Sequence, residues 1–232
     1  MTQPARSGTQ PLGFGVLGGT FNPVHVGHLR AAEEVAEALG LARVLLVPAA
    51  NPPHKAGDAA DPIAPAAQRL AWVEAACEGN PLLEVCDLEI ARGGASYTVD
   101  TLRVLAERAA PERPVFIIGA DAFTELGTWR EPKQLFALAD FAVMTRPGTD
   151  GTLGDWIPQT LREAFQVGAD GASARHRATG GALHHVPISA LEVASSDIRA
   201  RVRGARSIRY LVPEAVRRDI LASGVYAPRS SG

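Results

Sequence analysis

Residues 14–17 make a short apolar run that reads as a buried strand, while Leu29, Ala32, Val35, Ala36 and Leu39 recur at helical spacing. Between them lies the string Gly18-Gly19-Thr20-Phe21-Asn22-Pro23-Val24-His25-Val26-Gly27-His28. A strand that turns through two glycines into a helix constrains the fold more than any other stretch of the chain. His25 and His28, three apart where the helix begins, share a helix face. A helix N-terminus offers free N–H groups and the positive end of the dipole. Together these groups make an anion site, with phosphate as the best match. Taken alone, the glycines also fit a tight turn needing positive φ, and the histidines also fit capping or metal binding.

A second glycine pattern misleads. Gly13-Phe14-Gly15-Val16-Leu17-Gly18 matches G-x-G-x-x-G, but that dinucleotide fingerprint has to follow a strand and open a helix. Here its first two glycines begin the strand and its third ends it. A dehydrogenase reading is rejected on that ground.

Strand and helix patterns then alternate. Residues 43–48 form a β-branched run ended by Pro48, and 51–58 read as a loop. Residues 65–77 are helical, 83–90 alternate as a strand, and a helix capped by Ser96 or Thr98 carries Leu102, Leu105 and Ala109 on one stripe. The most apolar strand, 114–118, ends at Gly119-Ala120-Asp121. A short helix, 133–139, and a strand, 141–145, lead to Arg146-Pro147-Gly148. Beyond residue 149 the pattern weakens. Residues 155–167 suggest a helix, and Arg175-His176-Arg177 a solvated loop. A strand at 183–188 and helices opened by Ser195, with Ser as the cap, and by Val212-Pro213 complete the pass.

Short strands alternating with helices specify an α/β fold: a Rossmann-like, doubly wound parallel sheet with a small helical C-terminal part at about 190–226. Ligands bind such sheets beyond the carboxyl ends of the strands. Residues 18–28, 51–55, 119–121 and Arg146 all come just after those ends. At 232 residues, one domain over 12–226 is expected between polar tails at 1–11 and 227–232. A net charge of −2 gives no general attraction to nucleic acid, so an anion site has to be local. Cys77 and Cys86 supply neither a disulfide framework nor a zinc site, and suit a reducing compartment. No apolar run reaches 18 residues and no signal segment is seen, so a cytoplasmic protein without membrane contact is expected.

The opening string resembles the H-x-G-H box of the nucleotidyltransferase superfamily. Further segments narrow the resemblance to the bacterial nicotinate-nucleotide adenylyltransferases: Pro52-Pro53-His54-Lys55, Ser96-Tyr97-Thr98, Ile117-Ile118-Gly119-Ala120-Asp121, Thr128-Trp129, Arg146-Pro147-Gly148, Ser195-Ser196-Asp197-Ile198-Arg199 and Tyr210-Leu211-Val212-Pro213. The likeness runs from about residue 14 to 226. Asn22 stands where many members carry Asp, Ala194 where Ser often precedes the serine pair, and residues 151–182 match no pattern.

The resemblance implies transfer of AMP from ATP, with Mg²⁺, to nicotinate mononucleotide, giving deamido-NAD and pyrophosphate. It implies catalytic roles for His25, His28, Lys55 and Arg199. ATP contacts are implied for Gly18, Gly19, Thr20, Phe21, His25, His28, Gly119, Asp121, Arg146, Ser195, Ser196 and Arg199. For the mononucleotide they are Asn51, Lys55, Thr98, Asp121, Trp129 and Arg130, and no protein metal ligand is implied. Blander roles compete at three of these positions: core packing for Trp129, helix capping for Thr98 and Asp121. Rival readings are a different acceptor, nicotinamide mononucleotide or phosphopantetheine, and a nucleotide-binding module without catalysis.

Overall fold

The structure is a computed structural model and describes residues 12–52, 61–189 and 191–227. The expected tail at 1–11 lies outside the described residues, as do Lys55 and all of the expected C-terminal tail but Ala227.

The first strand, β1 (Leu12–Gly19), lies at the centre of an eight-stranded sheet. On one side it pairs in parallel with β2 (Leu41–Pro48), which pairs with β3 (Leu83–Val85). On the other side it pairs in parallel with β4 (Val115–Gly119), next to which lie β5 (Asp140–Thr145) and β8 (Ala182–Pro187). The strand order reverses at β1, so the gap between β1 and β4 is the topological switch point. The sheet closes with an antiparallel edge, β7 (Ser173–His176) and β6 (Phe165–Val167).

Side chains alternate across each strand, and the helices sort by face. Leu17, Ile117 and Ala142 point to a core shared with α1 (Val26–Leu39), α2 (Ala66–Cys77), α8 (Ser195–Arg203) and α9 (Glu214–Ser223). Val16, Phe116, Ile118, Phe141 and Val143 point to a second core shared with α4 (Thr98–Ala109), α5 (Ala120–Thr124), α6 (Pro132–Leu138) and α7 (Leu153–Trp156). The C-terminal helices therefore belong to the main body: Ile198, Val216, Ile220 and Tyr226 are buried with Val35 and Trp72. Gly40, in the left-handed conformation at φ 65°, ends α1 and lets the chain turn directly into β2.

Several local expectations are corrected. The strand at 83–90 stops at Val85, where pairing with β2 ends, and residues 88–92 form a short helix, α3 (Leu88–Arg92). Glu89 breaks the alternation because it is buried and accepts a hydrogen bond from the Thr101 hydroxyl at 2.6 Å. Residues 155–167 are the end of α7, a 3₁₀ turn (Gln159–Ala164) and β6, not one helix. Arg175-His176-Arg177 is not a solvated loop. His176 lies on β7, buried, with its ring stacked on Phe136 at 5.6 Å. The expected serine and threonine caps are absent too. Tyr97 and Ala194 occupy the cap positions, the Ser96 hydroxyl accepts from the Ala50 N–H, and the Ser195 hydroxyl donates to the Pro23 carbonyl. Each hydroxyl ties its helix start to a segment just beyond a strand, and so fixes where the first turn of that helix sits. Cys77 and Cys86 are both free thiols. Among the described residues, no helix is long and apolar enough to cross a membrane.

Candidate active site

Two clefts open beyond the carboxyl ends of the strands, one on each side of the β1–α1 turn. The first, about 400 Å³, is lined by His25, His28, Gly119, Asp121, Arg146, Ser195, Ser196 and Arg199. The second, about 250 Å³, is lined by Gly18, Gly19, Thr20, Thr98, Trp129 and Arg130. Separate segments of the chain thus converge as their positions after the strands required. Asp121, given to both substrates by resemblance, lies on the first cleft. The Phe21 side chain lines neither cleft. It is buried, with its ring edge-on to His28 at 5.0 Å. Asn51 is turned aside, its amide donating to the Gly94 carbonyl.

The histidine pair is built by the helix start. His28 Nδ1 accepts a hydrogen bond from the His25 backbone N–H at 3.2 Å, which closes the first turn of α1. A nitrogen that accepts carries no proton, so the ring's proton sits on Nε2, the atom farther from the backbone. His25 stacks on His28 with centroids 3.6 Å apart. Its ring is buried, and Nδ1 has no hydrogen-bond partner among the described residues. Burial and the nearby Arg146 charge pull the His25 pKa from 6.5 down to about 4. At neutral pH it is a neutral imidazole. Gly27, which sequence reasoning did not single out, makes this packing possible: a Cβ there would stand 3.0 Å from His25 Nδ1. The glycine of the box makes room for the first histidine.

Arg199 is less available than expected. It donates to both oxygens of Asp61 and, at 2.7 Å, to the Asn22 carbonyl. Arg203 joins the same carboxylate at 2.8 Å. The guanidinium lines the first cleft while its charge is shared with Asp61, so a bound phosphate would compete for it.

In the second cleft Trp129 is half-buried and packs edge-on to Phe116 at 6.4 Å, leaving part of the indole on the cleft wall. The Arg130 guanidinium lies over the Tyr97 ring, 4.6 Å from its centroid. Tyr97, also missed by sequence reasoning, lines the cleft beside Thr98 at the start of α4. Among the described residues, no group of three or more His, Cys, Asp or Glu could hold a metal ion.

The chain matches the cytidylyltransferase-like family over residues 16–201. It is 42% identical to the probable nicotinate-nucleotide adenylyltransferase of Trichlorobacter lovleyi, across 93% of this chain and 99% of that protein. The corresponding protein of Chromohalobacter salexigens is also 42% identical, across 94% and 97%. The chain belongs to the nicotinate-nucleotide adenylyltransferase family. The fold agrees with that of the Plasmodium falciparum nicotinic acid mononucleotide adenylyltransferase complexed with NaAD, at a TM-score of 0.68 and 14% identity, across 93% of this chain and 97% of that one. Of the segments named from sequence as marks of the adenylyltransferases, those holding Pro52, Ser96 to Thr98, Gly119 to Asp121, Trp129, Arg146 and Ser195 to Arg199 contribute to the two clefts, Tyr210 to Pro213 line neither, and Pro53 to Lys55 lie outside the described residues.

Proposed function

We propose that this chain transfers AMP from MgATP to nicotinate mononucleotide, releasing pyrophosphate and forming deamido-NAD. One observation carries the reading: two clefts of unlike character meet at the Gly18–His28 turn, so two phosphorylated ligands would bring their phosphates together there. The first cleft, with imidazoles, two arginines and the α8 start, suits ATP. The second, with an indole wall and the start of α4, suits a pyridine ring bearing a carboxylate.

A phosphate oxygen of the mononucleotide attacks the α-phosphorus of ATP. The new P–O bond forms as the bond to the β-phosphate bridging oxygen breaks, and the electron pair leaves on pyrophosphate. The attacking phosphate monoester is already mostly dianionic at neutral pH, so no protein base is required. The chain's task is to hold two anions in line and to stabilise the charge moving onto pyrophosphate. His28 Nε2–H and neutral His25 would donate to the ATP phosphates, with Arg146 and Arg199 adding charge. Ser195 and Ser196 would support the distal phosphates, Asp121 the ribose hydroxyls, and Lys55 the phosphates. Mg²⁺ would enter with ATP, held by phosphate oxygens and water rather than by side chains, and would supply charge neutralisation.

Thr98 and the backbone after Trp129 would donate to the nicotinate carboxylate. An amide would turn an NH₂ against those donors. Unpaired buried donors cost about 1–3 kcal/mol each, so two of them favour the acid by roughly a hundredfold. The test is pyrophosphate release with ATP, Mg²⁺ and each of nicotinate mononucleotide, nicotinamide mononucleotide and phosphopantetheine. The acid should give the highest kcat/KM. Equal rates for acid and amide would remove the nicotinate assignment, and no release with any acceptor would remove the transferase reading.

A further inference from the structure

Arg69 lies on α2, away from both cleft walls, and is 1% exposed. A guanidinium that deep ordinarily faces a carboxylate. Among the described residues none pairs with Arg69, and its hydrogen bonds run to three backbone carbonyls. Nε donates to Ala64 at 2.9 Å, Nη1 to Thr20 at 2.6 Å and Nη2 to Ala50 at 2.9 Å. Thr20 is the turn after β1, and Ala50 comes just after β2. Their neighbours Gly19 and Ala49 line the second cleft and are joined by a bond from the Ala49 N–H to the Gly19 carbonyl at 2.9 Å. The planar fork therefore grips the two strand ends that form the cleft floor.

This grip has a geometric consequence. In a trans peptide the carbonyl and the following N–H point in opposite directions. Turning the Thr20 carbonyl inward to Arg69 turns the Phe21 N–H outward, while the Asn51 N–H that follows the inward Ala50 carbonyl is taken up in the parallel bridge of Asn51 with Ala95. Phe21 has φ 47°, a left-handed conformation uncommon for a residue with a side chain. The orientation of the preceding peptide, which Arg69 holds, sets that angle. The Ala50 residue is fixed from a second side, since the Ala50 N–H donates to the Ser96 hydroxyl at 2.8 Å.

We propose that Arg69 is a positioning residue for the acceptor: from inside the core it sets the Thr20–Phe21 peptide and braces the Ala50–Asn51 peptide, and so the Phe21 N–H and the local positive field offered to the mononucleotide phosphate. This rests on the proposed function above. Lysine cannot reproduce the role, because its ammonium is a single compact centre, whereas the guanidinium spans three carbonyls with a fixed fork.

The experiment compares Arg69→Lys and Arg69→Met with wild type and with Val73→Ala, a buried position on the same helix chosen as a purely structural control. All are measured well below their melting temperatures. The readouts are the Kd of nicotinate mononucleotide by calorimetry without ATP, the Kd of ATP, and kcat and KM for each substrate. Arg69→Lys should raise the Kd and KM of the mononucleotide roughly tenfold, the size of one lost charge-assisted hydrogen bond, and should move the ATP constants much less. Val73→Ala should lower the melting temperature and leave both sets of constants in place. A folded Arg69→Lys with wild-type acceptor constants would overturn the proposal, as would equal shifts for both substrates. If Arg69→Met fails to fold, Arg69→Lys decides. If neither folds, Arg69 is a core residue alone and the proposal falls. A wild type that neither binds nor adenylates the mononucleotide would sink the functional reading itself, and this inference with it.

Discussion

His25 should make the protein sensitive to mild acid. Its ring is 6% exposed, and burial together with Arg146 sets its pKa at about 4 when folded, against 6.5 for a free imidazole. The folded state disfavours the imidazolium, so the unfolded chain binds more protons between those two values. The stability tied to neutral His25 is complete above about pH 6.5 and is lost as the pH falls from there toward 4. Taking 6.5 unfolded and about 4 folded, the loss between pH 7 and pH 5 is about 2 kcal/mol. For a chain of this size that is about 4–8 °C in melting temperature. His176, His184 and His185 are also held low by burial and add to the wild-type slope. A comparison with His25→Asn cancels them. Urea unfolding of both proteins at pH 7 and pH 5 should show the variant losing about 2 kcal/mol less. Parallel losses would refute a buried neutral imidazole at position 25.

Three further outcomes are expected. His28→Ala should cut kcat by roughly two to three orders of magnitude, the cost of one preorganised donor. Because His28 also accepts the His25 N–H, the variant should lose about 1 kcal/mol of stability as well; near-normal turnover would remove His28 from the chemistry. Gly27→Ala should displace the His25 ring, which a Cβ would meet at 3.0 Å, and cost about 1–3 kcal/mol by overpacking; unchanged stability and rate would show that the ring moves freely. Asp61→Asn should weaken acid sensitivity below about pH 4, since Arg199 and Arg203 hold that carboxyl below its usual range and its contribution is lost as the pH falls. An unchanged acid limb in urea titrations would contradict the pairing.

Strands β1, β2, β4 and β5 were legible because both of their faces are buried, which leaves short apolar runs ended by glycine or proline. The edge pair β6–β7 was not, because an edge strand carries polar residues and shows no such run. Residues 18–28, 119–121 and Arg146 were legible because they stand after strand ends, whereas Thr98, Trp129, Arg130, Ser195, Ser196 and Arg199 were named only through the resemblance. Arg69 could not be found that way. In the sequence it is one charged residue on an ordinary helix, and its importance lies in three carbonyls brought to it by folding. The serine caps were misplaced for a related reason: a hydroxyl near a helix start has several carbonyls and N–H groups in reach, and only the tertiary neighbours decide among them.

Tyr226 donates its hydroxyl to Asn22 Oδ1 at 2.5 Å, across 204 positions of sequence, and the same oxygen accepts the Ala64 N–H. The turn that begins the site is therefore completed by a residue made long after it. At about 5–20 residues per second, a ribosome reaches residue 226 roughly 10–40 s after residue 22. During that interval β1, β2 and α1 can pack together, while the asparagine that anchors the turn has Ala64 within reach but still lacks the Tyr226 hydroxyl. In a nascent chain β1 and β2 are therefore made early, but the turn that opens the site gains its Tyr226 contact only once synthesis has passed the final helix.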